Sequence, residues 1–357
     1  MSIVIGGVQY FTPFFGLKKS RGYIKGLTTE FSKDYNVNFT FGGYFSLLAI
    51  IDNMAKGFTE NSVVLLPSYL CPSILKPFQI RNIKYKFYKV DAELFVDVEH
   101  LASLLDEQVK AVLFIDYFGA SQIERLGDIL KELKSRTISV IQDVVQCLEI
   151  KKEFLFGDYI FNSFRKFFPF EGSILLSKTK MDIAFSKKKN LYLGPKRMGQ
   201  FLRYLHIEHH LLSSSHFLKH IKKSEDCYHT AEILPMPARN KRMLDKYDVK
   251  EMATKRIGFA ARLNKLLATK TPALFQLRGF APLGFEIKIQ NRDQVRRYLF
   301  DQNIFAPVHW TLSDEIDARD FAESVKLSKE ILTIPLGNMD EAKLEYMIKH
   351  IQLSLAS

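Results

Sequence analysis

The chain has 357 residues, 47% apolar and 25% charged, with a net charge of +12 at pH 7. That is room for a large core and for one big plus one small domain, in the composition of an ordinary globular protein. No apolar run is long enough to span a bilayer. The apolar N-terminus carries its charges after its apolar part, unlike a secretory signal, and Cys71, Cys147 and Cys227 are too few for a disulfide frame or zinc knuckle, so a reducing cytoplasm fits.

In chain order, residues 1–40 read as an irregular, aromatic-rich lead, with Phe11, Phe14 and Phe15 packing on the body or on a second subunit. Gly42-Gly43 opens a helical pattern over 44–55, where the backbone N–H groups of Gly43 and Tyr44 can approach a phosphate. Residues 63–66 form a strand, followed by the Pro67-Ser68-Tyr69 turn and a helix over 72–80. Strands over 85–90 and 109–116 flank a helix over 98–106, and an amphipathic helix is predicted over 122–136. This alternation predicts an α/β core with a largely parallel sheet.

The stretch from Thr137 to Leu176 carries the candidate chemistry. Its apolar runs 138–141, 159–164 and 174–176 read as buried strands. Asp143 and Gln146 follow the first run, and Ser163 and Lys166 end the second. A carboxylate and a lysine past neighbouring strands can converge on one ligand at the carboxyl edge of a sheet. Among Phe164, Phe167, Phe168 and Phe170 a lysine is desolvated, which lowers its pKa and frees the amine to form a Schiff base; a nearby carboxylate can pair with a protonated pyridine nitrogen. The same spacing also fits a snorkelling lysine and a helix-capping aspartate.

From Met181 to about Lys270 the chain turns helical, basic and histidine-rich. His206/His210 and His216/His220 sit four apart, but no zincin motif or acidic ligand set accompanies them, so no metal site is expected. The positive charge suits an anionic partner, and no nucleic-acid motif appears. From about Thr271 a smaller α/β domain is predicted. Its strands lie over 285–289 and 332–335 and its helices over 292–302, 323–330 and 339–353, with Pro307-Val308-His309-Trp310 as a turn.

Several ordered landmarks resemble the DegT/DnrJ/EryC1/StrS sugar-aminotransferase family. They are Gln142-Asp143-Val144-Val145-Gln146, Gly157-Asp158, Ser163-Phe164-Arg165-Lys166 with Glu171-Gly172-Ser173, the loop Asp116-Tyr117-Phe118-Gly119, and the turn Leu66-Pro67-Ser68-Tyr69-Leu70-Cys71. The resemblance runs from about Gly42 to Lys178 and resumes from about Phe285. It implies the aspartate-aminotransferase fold of pyridoxal-phosphate enzymes (fold type I). A large cofactor-binding domain over 1–240, including the helical insertion, would be followed by a smaller α/β domain over 241–357.

The resemblance also implies the roles. Lys166 is the Schiff-base lysine, Asp143 holds the pyridine nitrogen, and Gln146 bonds the ring oxygen. Ser163, Gly43 and Tyr44 hold the phosphate, and Asn240, in Asn240-Lys241-Arg242-Met243, reaches the partner subunit's cofactor phosphate. Cys71 falls near the slot of the ring-stacking aromatic, with Tyr69 the nearest ring. Family dehydratases carry histidine at the lysine position, so Lys166 favours transamination from a donor such as glutamate to a keto-sugar nucleotide, in a homodimer. Gln142, Ser173 and Arg165 depart from the family pattern, which leaves another carbonyl acceptor open.

Two rival readings are weaker. Ser163-x-x-Lys166 matches the nucleophile motif of penicillin-binding hydrolases, but Lys270-Thr271 is followed by Pro272 and no Ser-Asp-Asn partner is present. An idle aminotransferase-fold assembly protein would have no reason to keep Lys166, Asp143 and Gln146 together.

Overall fold

The computed structural model describes residues 3–11, 19–188, 190–267, 279–337 and 339–355. Phe14, Phe15, the Lys270-Thr271-Pro272 run and the expected start of the smaller domain lie outside the described residues.

Eleven strands are described: β1 (Ile5–Gly6), β2 (Asn36–Thr40), β3 (Val63–Pro67), β4 (Lys84–Tyr88), β5 (Val109–Ile115), β6 (Ser139–Asp143), β7 (Tyr159–Phe161), β8 (Ser173–Ser177), β9 (Gly284–Lys288), β10 (Ile304–Phe305) and β11 (Ile331–Pro335). Seven of them build one sheet in the order β2-β8-β7-β6-β5-β3-β4. β8 runs antiparallel to both its neighbours, β2 and β7, and the other pairs are parallel. The sheet is therefore mixed α/β and mostly parallel, as expected. Its central strands read Val-Val-Leu-Leu and Val-Lys-Ala-Val-Leu-Phe-Ile because helices cover both faces, which removes the polar alternation of a half-exposed strand.

Twelve α-helices are described: α1 (Tyr23–Phe31), α2 (Gly43–Met54), α3 (Leu75–Ile80), α4 (Val98–Ser103), α5 (Gly127–Ser135), α6 (Leu193–His209), α7 (Ser214–Asp226), α8 (Ala238–Leu244), α9 (Val249–Leu267), α10 (Arg292–Asp301), α11 (Ala322–Glu330) and α12 (Glu341–Ser354). Phe45, Leu47, Leu48, Ile50 and Ile51 of α2 are buried on all sides of the helix, so α2 runs through the core rather than over it. A separate apolar cluster joins β9 and β11 to α9, α10 and α12, and takes in Ile5 from β1, which pairs in parallel with β10. The first strand thus packs with the C-terminal part of the chain.

Three expectations are corrected. The lead over 1–40 is not irregular throughout: it contains α1 and β2, because Asn36–Thr40 supplies an edge strand against β8. The helix expected over 122–136 is broken into a 3-10 turn, Ile123–Arg125, and α5. Gly127 is a poor helix former. The preceding Gln122 is also pulled inward: its N–H donates to Asp116 Oδ1 (2.9 Å), and its Nε2 donates to the Leu94 and Ile115 carbonyls. Finally, the strand expected to reach Phe164 ends at Phe161, and Phe164–Lys166 is a 3-10 turn.

Candidate active site

The carboxyl ends of β6 and β7 bring Asp143 and Lys166 together. Asp143 closes β6. One of its oxygens accepts the Val145 N–H (2.8 Å), and the other makes no hydrogen bond among the described residues. Burial pushes the Asp143 carboxyl up to about 7, opposed by that N–H and by the charge of Lys166.

Lys166 ends the turn after β7, and its N–H donates to the Ser163 carbonyl (3.3 Å). Its ammonium makes no hydrogen bond or ion pair among the described residues. Burial lowers its pKa and Arg165 adds to this, while Cys71, Asp143 and Glu225 oppose it. Phe164, Phe167, Phe168 and Phe170 are buried in a core cluster with Val144, Leu148 and Ile160, so they anchor the turn from beneath. His309 faces the lysine from the C-terminal part of the chain. Its Nδ1 pairs with Thr333 Oγ1 (2.9 Å), and burial, then the Lys166 charge, bring its pKa down to about 3.

Gln146 is 2% exposed. Its side-chain carbonyl accepts the Phe118 N–H (2.7 Å), which fixes the amide's orientation, and its Nε2 is left buried with no partner among the described residues. Leaving such a donor dry costs about 1–3 kcal/mol, so it invites an acceptor from a ligand. The Ser163 hydroxyl is buried and makes no hydrogen bond among the described residues. Gly43 starts α2 hard against the ends of β6 and β7: a Cβ there would lie 3.1 Å from the Asn162 carbonyl oxygen and 3.1 Å from Val145 Cγ2. The N–H groups of Gly43 and Tyr44 belong to the first helical turn, which has no intrahelical acceptors. The Tyr44 hydroxyl itself turns away, donating to the Thr230 carbonyl (2.8 Å).

Three candidates lie differently. Tyr69 is fully buried between the rings of Tyr117 and Trp310, and its hydroxyl donates to the His309 carbonyl. Cys71 is partly exposed, with its sulfur 3.0 Å from Ser73 Oγ. Asn240, on α8, donates to the Glu171 carbonyl (2.8 Å) and lines a cavity of about 410 Å³ with Phe11, Phe201 and Arg239.

The departures from the family pattern have local explanations. Gln142 Nε2 donates to the buried Asp116 (2.7 Å) and to the Phe154 carbonyl, and its Oε1 accepts from Phe156 and Gly157 N–H. A glutamate there would face a second buried carboxylate. Ser173 closes a buried hydroxyl chain with Ser46 (2.8 Å) and Thr40, and donates to the Asn162 carbonyl (2.6 Å). Arg165 is ion-paired to Glu225 (3.0 Å) and lies over the Tyr228 ring at 4.4 Å.

Sequence reasoning assigned no role to Glu225, Tyr228 or His309. Glu225 and Tyr228 come from the helical insertion, where no motif marks them, and His309 was visible only as part of a turn. Among the histidines, His206 bonds the Leu212 carbonyl, His209 the Tyr204 hydroxyl and His216 the Ser213 hydroxyl. No cluster of three or more metal-ligating side chains occurs among the described residues.

A cleft of about 860 Å³ opens onto this site. Its walls include Arg165, Lys166, Lys196, Arg256, Arg296 and His309. Glu171, Glu208 and Glu225 also line it, held by Tyr192 (2.5 Å), by Tyr10 (2.6 Å) and by Arg165 and Lys196, but the lysines and arginines of the lining, Arg203 and Lys343 among them, outnumber them. The cleft is therefore electropositive. No described helix is long and apolar enough to cross a membrane.

The architecture is that of pyridoxal-phosphate-dependent aminotransferases. The chain is similar over 96% of its length to 90% of a DegT DnrJ EryC1 StrS aminotransferase from Brucella abortus (TM-score 0.66, 16% identity). It is similar over 98% to 93% of a Streptococcus pneumoniae protein described as a sugar aminotransferase and solved in its PLP form (TM-score 0.69, 11% identity). It is also similar over 98% to 91% of S. venezuelae DesV, solved in complex with a ketimine intermediate (TM-score 0.66, 12% identity). No protein-family model matches the chain, and no curated protein sequence matches it. At these identities the likeness establishes the fold.

Proposed function

We propose that the chain is a pyridoxal-phosphate-dependent aminotransferase that moves an amino group from an amino acid, glutamate being the expected donor, to a keto-sugar nucleotide. The observation that carries this reading is the meeting, at the carboxyl edge of this sheet, of an unpaired lysine, a half-satisfied carboxylate and an amide with a spare donor. When bound, the cofactor supplies an electrophilic carbon and an electron sink.

Lys166 would be the point of covalent attachment and, as a free amine, could hold or move a proton at Nζ; its burial-lowered pKa suits both tasks. Asp143 offers its free oxygen to a protonated ring nitrogen, and that positive charge favours the ionised carboxylate that burial disfavours. Gln146 Nε2 would donate to the ring oxygen, and Ser163 with the first turn of α2 would hold the phosphate. Tyr69 is committed to the core, whereas Cys71 acts electrostatically on Lys166, so Cys71 rather than Tyr69 would lie beside the ring. The basic cleft supports an anionic acceptor, which excess arginine and lysine steer inward.

A homodimer is part of this reading, with Asn240 serving the partner's site. The exposed Met198, Phe201 and Leu218 on α6 and α7 support it. We place the enzyme in the cytoplasm, in keeping with its three free cysteines. The test is the visible absorbance of purified protein with added pyridoxal phosphate, followed by borohydride reduction, in wild type and Lys166→Ala. A yellow protein with reduced cofactor fixed at Lys166, bleached by glutamate and absent from the variant, supports the proposal. A colourless wild type that forms no adduct refutes it.

A further inference from the structure

Arg165 has a peculiar set of contacts for a guanidinium beside a catalytic lysine. Glu225 takes one edge, through Nη2. Its face lies over the Tyr228 ring. Nη1 is buried and has no hydrogen-bond partner among the described residues. Tyr228 is itself 5% exposed, and no described carboxylate or carbonyl accepts its hydroxyl proton. That hydroxyl sits at the entrance to α2: a Cβ placed on Gly42 would strike it. Gly42 has extended backbone (φ 176°), so the missing side chain matters there for space rather than for conformation. Arg165 therefore reaches, through Tyr228, the helix start where the N–H groups of Gly43 and Tyr44 emerge. Arg165 Nη1, without a hydrogen-bond partner among the described residues, the Tyr228 hydroxyl that accepts from the same guanidinium, and a helix N-terminus lie together, which is an arrangement an anion completes.

We infer that Arg165 and Tyr228 are phosphate-binding residues, which add a charged clamp to Ser163 and the α2 N-terminus. Glu225 is the positioning residue that holds the guanidinium there. The ligand class is a phosphate monoester dianion, and the inference rests on the cofactor reading above, because the phosphate would be that of pyridoxal phosphate. A carboxylate of the amino donor is the competing occupant.

The test compares pyridoxal phosphate with pyridoxal, which has the same ring and aldehyde but no phosphate. Dissociation constants are measured by absorbance titration of cofactor-free wild type, Arg165→Met and Tyr228→Phe, with circular dichroism to verify folding. Arg165→Met is expected to weaken pyridoxal phosphate at least about tenfold, the loss of a charge-assisted hydrogen bond, while pyridoxal changes less than about twofold. Tyr228→Phe keeps the ring under the guanidinium and is expected to show a smaller loss of the same selectivity. Equal losses for both ligands would overturn the clamp, since Arg165 would then act through Lys166 or the fold. Unchanged pyridoxal phosphate binding with an altered half-saturation for glutamate would overturn it in favour of the donor carboxylate. If Arg165→Met does not fold, Tyr228→Phe alone decides by the same selectivity. A wild type that binds neither compound would overturn the cofactor reading itself, an outcome distinct from a wild type that binds both and a variant that behaves like it.

Discussion

Replacing Asp143 by asparagine should stabilise the cofactor-free chain at alkaline pH while weakening its hold on the cofactor. Burial raises the Asp143 carboxyl from 3.8 to about 7, so the folded chain binds this proton more tightly than the unfolded chain does. At about 1.4 kcal/mol per pKa unit, keeping the carboxylate ionised at pH 8 costs the fold about 4 kcal/mol. The cost is absent below about pH 4, grows as pH rises, and levels off above about 7. Asparagine has no charge to bury. Its carbonyl can still accept the Val145 N–H, but its new Nδ2 group lacks an acceptor, which returns about 1–3 kcal/mol. The net gain is about 1–3 kcal/mol at pH 8, or roughly 2–4 °C in melting temperature for a chain of this size. Thermal melts of cofactor-free wild type and Asp143→Asn at pH 5 and pH 8 provide the assay. A benefit that does not grow with pH, or a variant less stable at both, refutes the burial argument.

Four further outcomes are expected. Gln142→Glu sets a second carboxylate against Asp116, whose own carboxyl burial already pushes up to about 7. Urea unfolding should show a loss of about 2–4 kcal/mol at pH 8 and a smaller one at pH 5, where Asp116 is protonated. Gln146→Ala strands the Phe118 N–H, so the chain should lose about 1–3 kcal/mol and the cofactor absorbance band should need more cofactor to saturate. Ser173→Gly breaks the hydroxyl chain and should cost about 1 kcal/mol in urea while leaving the cofactor dissociation constant unchanged. Cofactor affinity of the wild type should fall as pH drops below about 7, because Asp143 must be ionised to pair with a protonated ring; an affinity flat from pH 5 to pH 8 would count against that pairing.

Much of the fold was legible because its signals are local. The runs at 63–67, 109–115 and 139–143 are apolar on both faces and bounded by polar or turn residues, so the parallel core shows in the text. β2 was not legible, since Asn-Val-Asn-Phe-Thr is half-exposed and acquires strand identity only by pairing with β8. The break at Leu126, between the 3-10 turn and α5, was hidden for a related reason: the apolar stripe continues through it, and the force that interrupts it comes from Gln122 bonding to Asp116. In the site, Asp143, Gln146 and Lys166 follow strands that lie side by side, so proximity in sequence pattern becomes proximity in space. Glu225, Tyr228 and His309 arrive from 59, 62 and 143 residues beyond the lysine, and only tertiary packing brings them in.

The ion pair between Arg165 and Glu225 has a mechanical reading. Glu225 lies in the last turn of α7, and α7 packs against α6, whose outer side presents Met198 and Phe201. The guanidinium beside Lys166 is thus held by a carboxylate whose own helix is braced by α6, so the orientation of Arg165 depends on the packing of this helical hairpin as well as on the sheet that carries the lysine.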